Sequence, residues 1–168
     1  MKADEFVSYV IERIKKDNVF CAALKKADNP DTAYWAWEYL MPFCSGNETE
    51  LQALQKLQAL QIIASALARS KPEKNGSLSI SRALSMCDKG NKEGNKALPA
   101  LARFRRLCSC SSVEEACSVL RPMLAFILSK KVRGGLNYSE LLNDLIYFGD
   151  GEKVKTKWAL DFYPKVRN

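Results

Sequence analysis

The stretch LQALQKLQALQIIASALAR, residues 51–69, decides the fold that the sequence predicts. Its apolar residues recur at the three- and four-residue spacing of a helix, and Lys56 is its only charged residue before Arg69. Asn47, followed three residues later by Glu50, resembles a capping box and predicts that the helix begins there. A helix with so little charge must bury a wide surface, so we expect it at the centre of a helical bundle. The residues predicted to face the core are Leu51, Leu54, Leu57, Leu60 (or Gln61), Ala64 and Leu67.

The segments on both sides also show helical periodicity, and none shows β-alternation of useful length. Helices are predicted over residues 4–16, 20–27, 77–86, 112–131, 138–148 and 152–163, besides an aromatic-rich and an arginine-rich helix. The sequence therefore predicts an all-α protein of about eight or nine helices in two small bundles. The polar loop KPEKNG, residues 71–76, is the predicted boundary between an N-terminal lobe, 1–75, and a basic C-terminal lobe, 76–168.

An aromatic-rich segment follows Asn29-Pro30, a pair typical of a helix start. It carries Tyr34, Trp35, Trp37 and Tyr39. Such rings could stack on nucleic-acid bases. For a helix that lies between two others, packing in the core and against a partner is the favoured interpretation.

The net charge of +7 belongs entirely to the second half of the chain. Residues 1–75 contain 10 basic and 10 acidic residues, whereas residues 76–168 contain 16 basic and 9 acidic ones. A concentrated excess of this kind is typical of a surface that binds a polyanion.

Three arginines of this half lie in one short predicted helix, within ALPALARFRRLCSC, residues 97–110. Helical geometry puts Arg103 and Arg106 on one side and Arg105 at the border of the apolar side. The predicted apolar side consists of Leu98, Leu101, Phe104 and Cys108. Taken alone, such a helix is also explained by an ordinary solvated face.

The composition argues against catalysis and against a metal or other cofactor. The chain has no histidine, which removes the commonest general base and the usual metal ligand. Its six cysteines show no CxxC spacing, and Gly134-Gly135 is not followed by the Lys-Ser/Thr of a phosphate-binding loop. We expect reduced, mostly buried thiols in a cytoplasmic protein with no signal peptide and no membrane span.

Six short motifs occur in order along nearly the whole chain: FV at 6–7 with Lys15, LKKA at 24–27, SISRAL at 79–84, RFRRL at 103–107, LLNDL at 141–145 and WALDFY at 158–163. Together they make the sequence similar to the CasB family, the small subunit of the type I-E CRISPR surveillance complex Cascade. Two segments depart from the family: a longer basic loop at 88–96 and the Cys-Ser-Cys at 108–110.

The resemblance implies an all-α, two-lobed, non-catalytic subunit that contacts guide RNA and target DNA. In such complexes two copies associate head to tail and touch the backbone and large subunits. They help to hold the guide–target hybrid and the displaced DNA strand, through contacts with the sugar-phosphate backbone that do not depend on sequence.

The candidate nucleic-acid-binding residues follow from position and from the family motifs. Arg82, Arg103 and Arg106 are favoured, Arg105 follows them, and Lys25 and Lys26 match a basic pair that the family tends to carry. Residues that could line a groove are Lys96, Arg121, Lys130, Lys131 and Arg133, although for each of them alone ordinary surface charge is the favoured explanation. The alternative function is a helical protein–protein interaction adaptor that docks through Trp35 and Trp37.

Overall fold

Nine α-helices account for most of the residues described by the computed structural model, which are 1–44, 46–88, 98–149 and 152–163. The helices are α1 (Ala3–Ile14), α2 (Asn18–Leu24), α3 (Trp37–Leu40), α4 (Glu50–Ser70), α5 (Ile80–Cys87), α6 (Pro99–Cys108), α7 (Val113–Ser129), α8 (Tyr138–Ile146) and α9 (Lys153–Phe162). Short 3-10 turns at Ala33–Ala36 and Met41–Phe43 flank α3. The predicted all-α class is confirmed. No helix in these ranges has the length and apolar character needed to cross a membrane.

Helix α4 is the centre of the fold, as predicted, and it packs against α1, α2, α7 and α8. Its core residues are Leu57, Ala59, Leu60, Ile62, Ile63, Ala64, Ser65, Leu67 and Ala68. Two predicted core residues are wrong: Leu51 and Leu54 are 64% and 52% exposed. They lie in the first turns of α4, which extend beyond the helices that cover the rest of it.

The start of α4 also differs from the prediction. Thr49, not Asn47, is the N-cap, and its hydroxyl accepts from the backbone N–H of Gln52. The Gln52 side chain in turn accepts from the backbone N–H of Thr49, which completes the capping box. Asn47 with Glu50 has the spacing of a capping box, but Thr49 with Gln52 has the same spacing two residues later.

The aromatic-rich segment is not the packed helix that the sequence suggested. Ala33, Ala36 and Leu40 turn inward, so that Tyr34, Trp35 and Trp37 are 55%, 50% and 44% exposed. Of the four aromatic residues only Tyr39 packs in the fold, edge-to-face on Phe20 at 5.1 Å between ring centroids. Packing of the two indoles in the core is therefore wrong, whereas their packing against a partner stays a prediction.

Helix α6 turns a different side to the core than predicted. Ala100, Phe104 and Leu107 are buried, whereas Leu98, Leu101 and Cys108 are only half-buried. Phe104 stacks on Phe162 of α9 with 4.1 Å between ring centroids. Because the core contact is rotated in this way, Arg103 is half-buried and does not lie opposite the apolar side.

Helices from both sides of residue 75 share one hydrophobic core, since α4 packs on α7 and α8, and α1 packs on α8. The division into two lobes at 75/76 stays a prediction. The loop at that position is tied to the start of α8: Asn75 accepts from the backbone N–H of Tyr138 and donates to the Asn137 side chain, the predicted cap of α8.

Backbone contacts between residues 76–78 and 134–137 complete this junction. Gly76 N–H donates to Leu136 O at 3.0 Å, and Asn137 N–H donates to Leu78 O at 2.8 Å. The two segments approach so closely at Gly76 that an added Cβ would overlap with the carbonyl group of Gly135. Only glycine fits there.

We expect Gly76→Ala to lower the free energy of unfolding by about 3 kcal/mol, since the junction must open to admit the methyl group. Gly149→Ala is the matched control, because a Cβ at Gly149 meets no atom within 4 Å. Urea denaturation of both variants measures the difference. Equal stability of the two variants would contradict the close approach of these segments.

Candidate nucleic-acid interface

The carboxylate of Asp28 joins three segments at one edge of α4. Its side chain is only 3% exposed, and it accepts hydrogen bonds from both terminal nitrogens of Arg69, at the C-terminal end of α4. Nε of Arg121, on α7, lies 3.4 Å from the same carboxylate. Two guanidinium groups therefore share one negative charge, and this corner of the molecule keeps a net positive charge.

Arg69 also connects this corner to the lysine pair that follows α2. Its second terminal nitrogen donates to the backbone oxygen of Lys25 at 2.8 Å. The Lys25 and Lys26 side chains are exposed, and Nζ of Lys26 lies 4.1 Å from the centroid of the Trp35 ring. Lys25 and Lys26 thus lie beside the two arginines.

Two adjoining cavities lie along the contact between α4 and α7, and apolar residues make up most of their lining. Arg69 and Arg121 line the first cavity, beside Asp28. Lys74 and Lys131 line the second, and Leu128 lines both. We call the two cavities together, from Asp28 to Lys131, the basic groove, because it has a pair of cations at each end.

A second pair of cations flanks Phe126 on α7. The guanidinium carbon of Arg103 lies 4.0 Å from the centroid of the Phe126 ring, and Nζ of Lys130 lies 5.3 Å from it. Arg103 also donates to the Pro99 carbonyl at 3.2 Å. The structure thus brings together two predicted residues that are far apart in the sequence.

The three favoured arginines do not form one cluster. Arg82 borders an open cavity of about 420 Å³ that Glu140 and Asp161 also line. Arg106 faces a different cavity, which Glu114 and Glu115 share. Arg103, at Phe126, lies away from both.

The remaining predicted residues have simpler surroundings. Arg105 and Arg133 are exposed, and Lys131 has a left-handed backbone conformation with φ of 48°. Lys96 lies outside the described residues. Of the predicted residues that the structure describes, Arg121 is the only one in an ion pair.

Sequence reasoning missed Arg69, Lys74 and Asp28. All three lie in residues 1–75, where basic and acidic residues are equal in number. Only the packing of α2, α4 and α7 brings them to one groove. The one signal available was the position of Arg69 in the last turn of a helix, which is equally typical of a residue that complements the helix dipole.

Five of the six thiols are less acidic than an ordinary cysteine thiol. Burial raises the pKa of Cys44, Cys87, Cys108 and Cys110, and it raises the pKa of Cys117 to about 12. A protonated thiol is a poor nucleophile and a poor metal ligand. No group of three or more metal-binding side chains occurs in the described part of the chain. The chemistry that these surfaces offer is the binding of anions by guanidinium and ammonium groups.

Comparison with known proteins assigns the family. The family of the CRISPR-associated protein Cse2 matches residues 21–163. The chain belongs to the Cse2 family. No curated protein sequence matches it.

Solved structures show the same fold as this Cse2-family chain. A CRISPR-associated protein of the Cse2 family from Thermus thermophilus superposes with a TM-score of 0.76 at 20% identity, covering 97% of this chain and 99% of the other. CasB from Thermus thermophilus gives a TM-score of 0.72 at 20% identity, with the same coverage. A chain of a CRISPR RNA-guided surveillance complex gives 0.71 at 16% identity, covering 95% of this chain and 90% of the other. The resemblance to CasB that the motifs indicated is confirmed.

We expect Asp28→Asn to lower the free energy of unfolding by about 1–2 kcal/mol, because two guanidinium groups lose a charged acceptor while remaining half in water. Asp31→Asn is the matched control: Asp31 is exposed and forms no ion pair in the described part of the chain. The loss should shrink at high salt, which screens half-exposed pairs. Thermal denaturation at two salt concentrations measures both effects. Equal melting temperatures for the two variants would show that the carboxylate does not tie these segments together.

Proposed function

We propose that this Cse2-family chain is a non-catalytic, nucleic-acid-binding small subunit of a CRISPR Cascade complex in the cytoplasm. In this role it stabilises the guide RNA–target DNA hybrid and the displaced strand during antiviral defence. Its partners are the backbone and large subunits, a second copy of itself, and the two nucleic acids. The observation that carries the proposal is the basic groove, whose cations outnumber the single carboxylate that faces them.

The physical task fits such a groove. Exchange of a DNA duplex for an RNA–DNA hybrid is nearly balanced in free energy, so a few added phosphate contacts can tip it. Each neutralised phosphate of a single strand releases counterions and contributes about −0.7 to the slope of log K against log salt. Such contacts position a strand without reading its sequence.

The predicted residues contribute to this binding from two clusters and from four single positions. Arg121 and Lys131 lie in the basic groove, and Lys25 and Lys26 lie at its end. Arg103 and Lys130 form the pair at Phe126. Single exposed positions outside these two clusters are Arg82, Arg105, Arg106 and Arg133. Lys96 completes the predicted set and has no structural description.

Charge reversal in the basic groove tests the proposal directly. We expect Lys74→Glu/Lys131→Glu to weaken the binding of single-stranded DNA and to reduce the magnitude of the salt slope by about 1.4, the value for two lost phosphate contacts. Lys2→Glu/Lys153→Glu is the matched control, because it changes the net charge equally at two exposed lysines, at the starts of α1 and α9. Fluorescence anisotropy of a labelled strand measures both quantities. If both double variants weaken binding equally, overall charge and not the groove is responsible.

Helix α6 provides an independent test. Arg103→Glu/Arg106→Glu should weaken the binding of single-stranded or R-loop DNA without unfolding the protein, because Arg106 is exposed and Arg103 loses only its contacts with the Pro99 carbonyl and the Phe126 ring. Unchanged affinity at low salt would remove these two residues from the interface.

The second candidate function is the interaction adaptor, and the exposure of Trp35 and Trp37 favours it. Under this alternative the two indoles dock another protein and the basic face is incidental. Removing both indoles would then abolish assembly and leave DNA binding by the free chain intact.

A further inference from the structure

Two neighbouring aromatic rings form a step on the surface next to the basic groove. Tyr34 and Trp35 have ring centroids 5.8 Å apart and planes inclined by only 29°. Both are at least half exposed. We call this pair the aromatic step.

The fold itself forces these rings outward. Ala33 and Ala36, on either side of them in the same 3-10 turn, are 6% and 0% exposed and point into the protein. A turn that buries its alanines must present the residues between them to solvent. Exposed aromatic rings of this size, grouped on one surface, are typical of a binding site.

The charge around the step favours an anionic partner. Nζ of Lys26 lies 4.1 Å from the centroid of Trp35, and neither Lys25 nor Lys26 has an acidic partner among the described residues. Glu38, the acidic residue of α3, lies beside Tyr39. Burial, followed by the Glu38 carboxylate, raises the pKa of the Tyr39 hydroxyl. The ring of Trp35 therefore borders a cation, the ammonium group of Lys26.

The step is connected to the basic groove through the neighbouring residues Lys25 and Lys26. The backbone of Lys25 accepts from Arg69, and Arg69 shares the Asp28 carboxylate with Arg121. A strand whose phosphates lie along the groove would reach the step with its next nucleotides.

We propose that the aromatic step binds an unpaired base of a single nucleic-acid strand by stacking, while Lys26 contacts a phosphate of the same strand. The inference rests on the proposed function and adds to it a second kind of contact, which needs the bases as well as the phosphates. Stacking of this kind tolerates every base, because each has a flat π-face, so it remains independent of sequence.

The experiment distinguishes the contribution of the bases to binding from that of the phosphates. Full-length chain is titrated at low salt with labelled oligothymidine and with an equally long strand of abasic sites, which keeps every phosphate and lacks every base. We expect the wild-type chain to bind oligothymidine about tenfold more tightly, a typical effect of one stacked base. Trp35→Ala should bind both strands equally, at the affinity of the wild type for the abasic strand.

Two further variants define the origin of the effect. Trp35→Phe retains a stacking ring and should keep most of the preference for oligothymidine. Tyr147→Ala is the control, because it removes a ring that follows α8 and is 59% exposed, about as much as Tyr34 and Trp35. No cation lies over this ring in the described ranges, and the variant should leave the preference unchanged. Melting temperatures of all variants show that a lost preference does not come from unfolding.

The possible outcomes test the stacking inference and the proposed function separately. Equal binding of both strands by the wild type overturns the stacking inference and leaves the phosphate-binding function intact. Binding of neither strand overturns the proposed function, and the inference with it. A Trp35→Ala variant that keeps the preference for oligothymidine but no longer co-purifies with a guide-RNA-containing complex overturns the inference and assigns the step to a protein partner.

Discussion

The Asp28 carboxylate is the contact on which the basic surface depends. It is almost fully buried, and a buried charge is costly unless it is paired and hydrogen-bonded. Arg69 and Arg121 supply both conditions, while their own side chains remain about half exposed. One carboxylate thus holds the end of α2, the end of α4 and the middle of α7 in a fixed relation. Since two guanidinium groups share one carboxylate, the corner keeps a net positive charge.

The uneven burial of α4 explains where the proposed functional surfaces lie. Its residues from Leu57 onward are enclosed by α1, α2, α7 and α8, whereas Leu51 and Leu54 remain in solvent. The enclosed part fixes the ends of its neighbours, and the basic groove forms where α4 ends, at Arg69. Leu54, in the exposed first turns, lines a surface cavity together with Trp37. Asp28 and Arg121 line the same cavity, so this partly apolar surface adjoins the basic groove.

Local rules predicted the fold well, because most of its signals lie within a few residues. The caps Ser112 of α7 and Asn137 of α8 are present as the sequence indicated, each accepting from a backbone N–H three residues on. Leu51, Leu54 and the two indoles were assigned to the core wrongly, because periodicity shows which side of a helix is apolar but not how far its neighbours extend. Arg69 and Lys74 were not predicted as site residues for a related reason. Their place in the groove depends on contacts with residues dozens of positions away in the chain. The family motifs identified what neither periodicity nor charge alone could, since six of them occur in order.

Charge that remains after ion pairing, and not the formal charge of a segment, determines what this surface can bind. In residues 1–75, Arg13, Lys15 and Lys56 form ion pairs with carboxylates of the same half of the chain. Between residues 76 and 133, Arg121 is the only described basic residue that forms an ion pair, and its partner Asp28 comes from the other half of the chain. The asymmetry in composition therefore understates the asymmetry in available cations.

The basic groove draws on both halves of the chain, because Lys74 and Arg69 precede residue 76 while Arg121 and Lys131 follow it. A strand bound there would bridge the two halves. Phosphate binding and the packing of α4 on α7 should therefore stabilise each other, as any ligand stabilises the folded state that alone binds it.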